Sequence, residues 1–163
     1  MNEANTPNPS IGINVPTAKA KSIDAPVKKL PVVAARTYIA CSGPGEGGHG
    51  TELMRAQLDG YQLTEQQVLF RLLPKSSATQ HFGGRIVFDG KGHVFLTLGD
   101  RGEMRRAQRL DDHAGSVIRL NEDGTIPKDN PFVNRRDARP EKFTYGNRNI
   151  QGAAMHPKTG ELW

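Results

Sequence analysis

A chain of 163 residues with 36% hydrophobic residues, 18 glycines and 11 prolines can form one domain with a core, but is too rich in turn formers for a helix bundle. No apolar run approaches the ~20 residues that span a bilayer, and no hydrophobic segment of the signal-peptide kind stands at the N-terminus. The net charge of +5 rests on scattered pairs such as Lys28-Lys29, Arg105-Arg106 and Arg135-Arg136 without interleaved aromatics, which argues against nucleic-acid binding and suits arginines facing a small polyanion.

Residues 1–35 carry Pro7, Pro9, Pro16, Pro26 and Pro31 and no aromatic, and are expected to be a disordered tail. Residues 36–163 are expected to form the folded, all-β domain. Residues 37–41 read as a strand, with the single Cys41 as a small buried thiol that has no disulfide partner. The next segment contains Gly43, Gly45, Gly47, Gly48 and Gly50. It lacks the Gly-Lys-Ser/Thr ending of a phosphate-binding loop and reads as a long inter-strand loop. Residues 51–58 and 67–72 follow as strands joined across Asp59-Gly60.

Residues 85–88 and 93–98 are β-rich runs, the second with Val94, Leu96 and Leu98 alternating. Between them Asp89-Gly90-Lys91-Gly92 supplies the glycines that a tight hairpin needs. An antiparallel hairpin brings the start of its first strand beside the end of its second, so His81 and Asp100 are expected at the same end. An imidazole beside a carboxylate can be held in one tautomer with its other nitrogen free to take a proton. Spacing alone leaves this pair open between a general base with its orienting partner and a turn cap or satisfied surface pair.

Residues 103–110 are charged helix formers, expected to make at most a short surface helix. A strand at 115–120, a turn at 121–124, a strand opening at 143–145 and a turn at 156–160 complete the chain. The turns near Gly92, Gly124 and Gly160 recur at roughly thirty to forty residues, the period of blades in a β-propeller. A chain stopping at Trp163, inside the return strand of a hairpin, leaves a half-made blade and an unpaired edge. The sequence is therefore expected to be a fragment.

Several motifs stand in a familiar order: His81-Phe-Gly-Gly-Arg85, Leu98-Gly-Asp-Arg-Gly102, Gly115-Ser-Val-Ile-Arg-Leu120, Asp129-Asn-Pro-Phe132, Tyr145-Gly-Asn-Arg-Asn-Ile-Gln-Gly152 and His156-Pro-Lys-Thr-Gly-Glu-Leu-Trp163. Together they closely resemble the soluble PQQ-dependent aldose sugar dehydrogenases of the glucose/sorbosone dehydrogenase family. The resemblance implies a six-bladed β-propeller of antiparallel blades, of which this chain covers roughly two to three. It also implies pyrroloquinoline quinone (PQQ) beside calcium at the channel mouth, oxidation of the C1 hydroxyl of an aldose to the lactone, an external electron acceptor and a periplasmic location.

Carried onto this sequence, the resemblance makes His81 the base, Asp100 its orienting carboxylate, and Arg148 and Asn149 the pair at the quinone oxygens. Gln108 and Gln151 are further cofactor candidates, with Arg101 and Asp112 behind them. Calcium ligands fall in no segment of this chain that matches the family. The alternative is a truncated, catalytically inactive propeller fragment with at most a binding role.

Overall fold

The computed structural model describes residues 35–163. The Pro-rich segment expected to be a tail lies outside the described residues except for Ala35. The described residues form two antiparallel meanders, each strand pairing with its neighbour in sequence. The first sheet is β1 (Ala35–Gly45), β2 (Gly48–Asp59) and β3 (Gln62–Arg71). The second is β4 (Gly83–Phe88), β5 (His93–Leu98), β6 (Val117–Asn121) and β7 (Lys142–Thr144), with one helical turn α1 (Met104–Ala107) between β5 and β6.

The strands at 85–88 and 93–98 stand close to where the residue pattern puts them. The glycine-rich segment does not form a long loop. β1 and β2 run straight through it, pairing Gly43 with Gly50 and Gly45 with Gly48, so that only Glu46-Gly47 turns. Missing side chains are what let the ladder continue. A Cβ on Gly43 would lie 2.2 Å from the Glu52 carboxyl group, and one on Gly48 would lie 2.3 Å from the Ser76 carbonyl oxygen. Into that space comes Lys75, whose ammonium donates to the carbonyls of Gly43 and Pro44 at 2.7 and 2.8 Å and to Glu52 Oε1 at 2.5 Å. β3 likewise begins at Gln62, ahead of residue 67, because the Gly60-Tyr61 turn sets the register and pairs Asp59 with Gln62 whatever the polarity of the residues that follow.

The repeat reading needs correction at one point. The turns near Gly92 and Gly124 are not in successive blades; they flank the same sheet, with the Glu122 N–H donating to the Gly92 carbonyl at 3.0 Å. The sheets themselves are the units, β1–β3 and β4–β7. Around the third turn, Ala154 and Trp163 exchange two backbone hydrogen bonds of 2.8 Å, the start of a further hairpin.

Leu53 and Phe70 of the first sheet, with Leu72 just past its last strand, pack with Val94, Leu96, Leu98, Ile118 and Leu120 of the second in one core. β5 is covered on both faces. Phe95 stacks edge-on against Phe143 at 5.2 Å, and Thr97 Oγ1 accepts the Arg85 N–H and donates to the Ile150 carbonyl, both at 3.0 Å. Cys41 lies in β1 as expected but is only half-buried. α1 is less superficial than its sequence suggests, since Arg106 and Ala107 are both buried. Among the described residues no helix is long and apolar enough to cross a membrane.

Lys142 of β7 is fully buried, and its Nζ donates to the carbonyls of Arg109 and Asp112 at 2.7 and 2.6 Å. Two acceptors suit the two N–H bonds of a neutral amine, and burial lowers its pKa to about 8 despite Asp112, Asp111 and Glu141 nearby. Between about 8 and the ordinary 10.5 the unfolded chain therefore binds the proton that the folded chain lacks. Stability is expected to rise with pH through that window, by on the order of 1–3 kcal/mol. Urea unfolding at both ends of the window, against Lys142→Met as the reference, measures it; equal gains in the two proteins would contradict the assignment.

Candidate active site

The β4–β5 hairpin places His81 just before its first strand and Asp100 just after its second, with Gly83 paired to Leu98 between them. His81 Nδ1 lies 2.6 Å from Asp100 Oδ1. The same oxygen accepts the Gly102 N–H at 2.8 Å, and the Asp100 side chain is only 4% exposed. Asp100 Oδ1 thus faces two N–H donors, which makes Nδ1 the protonated nitrogen of a neutral His81 and leaves Nε2 with its lone pair. The ring keeps 20% of its surface exposed.

Close backbone approach makes the pair. A Cβ on Gly99 would lie 2.0 Å from the His81 carbonyl oxygen, so only glycine lets the two arms touch. His81 itself has φ of 56° and Arg101 of 59°. Non-glycine residues in this left-handed region cost on the order of 1–3 kcal/mol and persist where their surroundings hold them. Gly99→Ala is expected to destabilise the fold by about 1–3 kcal/mol through overpacking. Gly152, whose Cβ would meet nothing, should accept alanine within about 0.5 kcal/mol. Urea midpoints of the two variants check this, and equal midpoints would contradict it.

A second segment closes the site. Gly146 N–H donates to the Ala107 carbonyl at 2.8 Å and Asn147 N–H to Gly115 at 2.9 Å, while the Arg148 carbonyl accepts the Asp100 N–H at 2.7 Å and Asn149 bridges to Gly99. Four consecutive residues are thereby tied to the β5–α1–β6 framework. A Cβ on Gly115 would lie 2.3 Å from the Asn147 carbonyl oxygen, so glycine again permits the contact. The result is a pocket of about 330 Å³ lined by Gln80, His81, Asp100, Gln108, Asn147 and Arg148, with Met104, Ala107 and two glycines as floor.

Four of the eight side chains singled out from the sequence, His81, Asp100, Arg148 and Gln108, therefore share one cavity. Asn149 and Gln151 do not line it. Asn149 Oδ1 accepts the Gly83 N–H at 3.2 Å and Gln151 Nε2–H at 2.9 Å, so these two brace the edge of the hairpin. Gln80 and Asn147 had no role assigned from the sequence; Gln80 adjoins His81, and Asn147 lies inside the 145–152 motif beside Arg148. Asp112 sits behind α1, 1% exposed and held by Arg106, and Arg101 is fully buried beside Phe82. Glu141 lies further off. Burial alone would raise its pKa, but the 2.6 Å hydrogen bond from His113 holds it below the usual value. Among the described residues no three His, Cys, Asp or Glu side chains gather as metal ligands.

The family model described as Glucose / Sorbosone dehydrogenase matches residues 33–163. Aldose sugar dehydrogenase YliI of Escherichia coli (strain K12) is 42% identical over 127 residues, 78% of this chain and 34% of that protein. The chain spans about a third of the length of the curated relatives it matches (34% and 33%). The crystal structure of soluble aldose sugar dehydrogenase from Escherichia coli in the apo-form superposes with a TM-score of 0.77 at 40% identity, over 80% of this chain and 39% of that one. The PQQ-bound form of aldose sugar dehydrogenase from Streptomyces coelicolor does so with a TM-score of 0.63 at 26% identity, over 80% and 37%. The two antiparallel sheets are accordingly part of a β-propeller.

Proposed function

Because the chain belongs to the glucose/sorbosone dehydrogenase family, we propose that its pocket serves PQQ-dependent oxidation of the C1 hydroxyl of aldose sugars, with His81 as the general base. The observation that carries this is the 2.6 Å His81–Asp100 bond in the wall of a donor-rich cavity. Apart from His81 the polar lining is amides and a guanidinium, and its one acid, Asp100, is already engaged by His81 and Gly102. That set suits a flat quinone bearing carbonyl and carboxylate oxygens.

Arg148 and Gln108 would hold the quinone, with Gln80 and Asn147 at its margins. When bound, PQQ supplies the two-electron acceptor for the C1 hydride. His81 Nε2 takes the C1 hydroxyl proton as the hydride leaves, and the C1–O bond becomes the lactone carbonyl. Asp100 fixes the tautomer that makes Nε2 the acceptor, and lies against the imidazolium that forms. Arg148 adds positive charge where the pocket receives negative charge.

The same proposal includes an external electron acceptor to regenerate the quinone and export to the periplasm. Calcium is a different matter. The described residues offer it no ligand cluster, and no step here depends on it. In a context of the relatives' full length, stopped-flow reduction of protein-bound quinone by glucose tests the reading. Bound quinone that no aldose reduces would overturn it.

A further inference from the structure

We infer that Arg101 is the positioning residue of the His81–Asp100 pair, a clamp that holds together the two backbone arms carrying it. Arg101 directly follows Asp100, so its own backbone belongs to one arm. Its guanidinium reaches the other arm, donating from Nη1 to the Gln80 carbonyl and from Nη2 to the Ala78 carbonyl. Its Cζ lies 3.4 Å from the centroid of the Phe82 ring. His81 stands between Gln80 and Phe82, so one side chain grips the residues on both sides of it.

The energetics of this arrangement point the same way. Arg101 is 0% exposed, both of its hydrogen bonds go to neutral carbonyls, and its Nε is buried without a partner among the described residues. Burial pulls its pKa below the usual arginine value, and the like charge of Arg106 pulls in the same direction. A guanidinium taken out of water without a carboxylate is a poor source of stability. What it does supply is geometry, because a planar fork addresses two carbonyls at set angles where an ammonium does not. His81 and Arg101 both occupy the left-handed region, at φ of 56° and 59°, which side chains abandon unless held. Without the clamp the 78–80 segment is free to swing, and Nδ1 leaves Asp100 Oδ1.

The catalytic consequence rests on His81 being the base; the structural one does not, and the test separates them. In the full 163-residue chain, proton NMR is expected to show a downfield, slowly exchanging imidazole proton, assigned to Nδ1 by its disappearance in His81→Gln. Arg101→Met keeps the stem and removes the fork; this resonance is expected to exchange at least about tenfold faster or vanish, with the amide spectrum of β1–β3 unchanged. Arg101→Lys, which keeps the charge without the planar fork, should fall between the two and provides the reading if Arg101→Met does not fold. A parental resonance in either folded variant overturns the inference. So does failure of both to fold, since Arg101 would then support the whole fold and not the pair. In the full-length context, Arg101→Lys is expected to lower kcat with KM near parental. Parental kcat there, alongside an inactive His81→Ala, overturns the clamp and spares the base; parental activity in His81→Ala overturns the base and leaves the NMR result to decide Arg101.

Discussion

His81→Ala is expected to lower the rate of glucose-driven quinone reduction by about 100- to 10,000-fold, the usual contribution of a positioned general base. Quinone binding should change little, because the groups that would hold it are Arg148 and Gln108, which line the 330 Å³ pocket alongside His81. The two effects separate in a stopped-flow experiment that records quinone uptake first and sugar-driven reduction second. Asp100→Asn is expected to lose less. The Gly102 N–H keeps an oxygen of residue 100 turned toward His81, so the amide can still accept Nδ1–H and preserve the tautomer. What disappears is the negative charge behind the imidazolium, not the proton acceptor. Parental reduction rates in His81→Ala would place the base elsewhere.

Arg106→Ala is expected to be the most damaging single change to stability, at about 3–5 kcal/mol, the range for breaking a buried ion pair by removing one partner. Arg106 Nε and Nη2 form a fork on Asp112, at 2.9 Å to Oδ2 and 3.1 Å to Oδ1, and Nη2 also donates to the Pro74 carbonyl. Asp112 is 1% exposed, so it would be left charged and nearly dry. Burial alone would lower the Arg106 pKa, but the hydrogen bond and charge of Asp112 outweigh it and hold the guanidinium charged. Arg106→Ala/Asp112→Ala should cost less than the sum of the singles, because the orphaned charge goes with its partner. Additive losses in urea unfolding would mean that the pair is not coupled. The consequence reaches the pocket, since Arg106 anchors α1, and Met104, Ala107 and Gln108 on that turn line the cavity.

Much of this was legible in the residues themselves. Glycine turns between apolar runs dictated an all-β meander, and Asp89-Gly90-Lys91-Gly92 set the β4–β5 hairpin, because positive φ there excludes most other residues. With that turn fixed, antiparallel pairing brought His81 and Asp100 to one end: their juxtaposition is a consequence of local chemistry and chain direction. Arg148 was legible only through a motif, and its place beside Asp100 depends on the Gly146–Ala107, Asn147–Gly115 and Arg148–Asp100 backbone bonds. Those are long-range contacts that no local pattern encodes. The Gly43–Gly50 ladder escaped sequence reasoning for a related reason. Five glycines in one short stretch signal a loop until Lys75, Glu52 and Ser76 arrive to fill the space they leave. The same holds for the sheet boundaries, since turns at similar spacing look alike whether they link strands of one sheet or of two. Hairpins and turn positions follow from the φ/ψ preferences of a few adjacent residues. Which strands share a sheet, which side chains share a pocket and which arginine is buried beside the base follow from packing between segments far apart in sequence, and only the tertiary structure decides them.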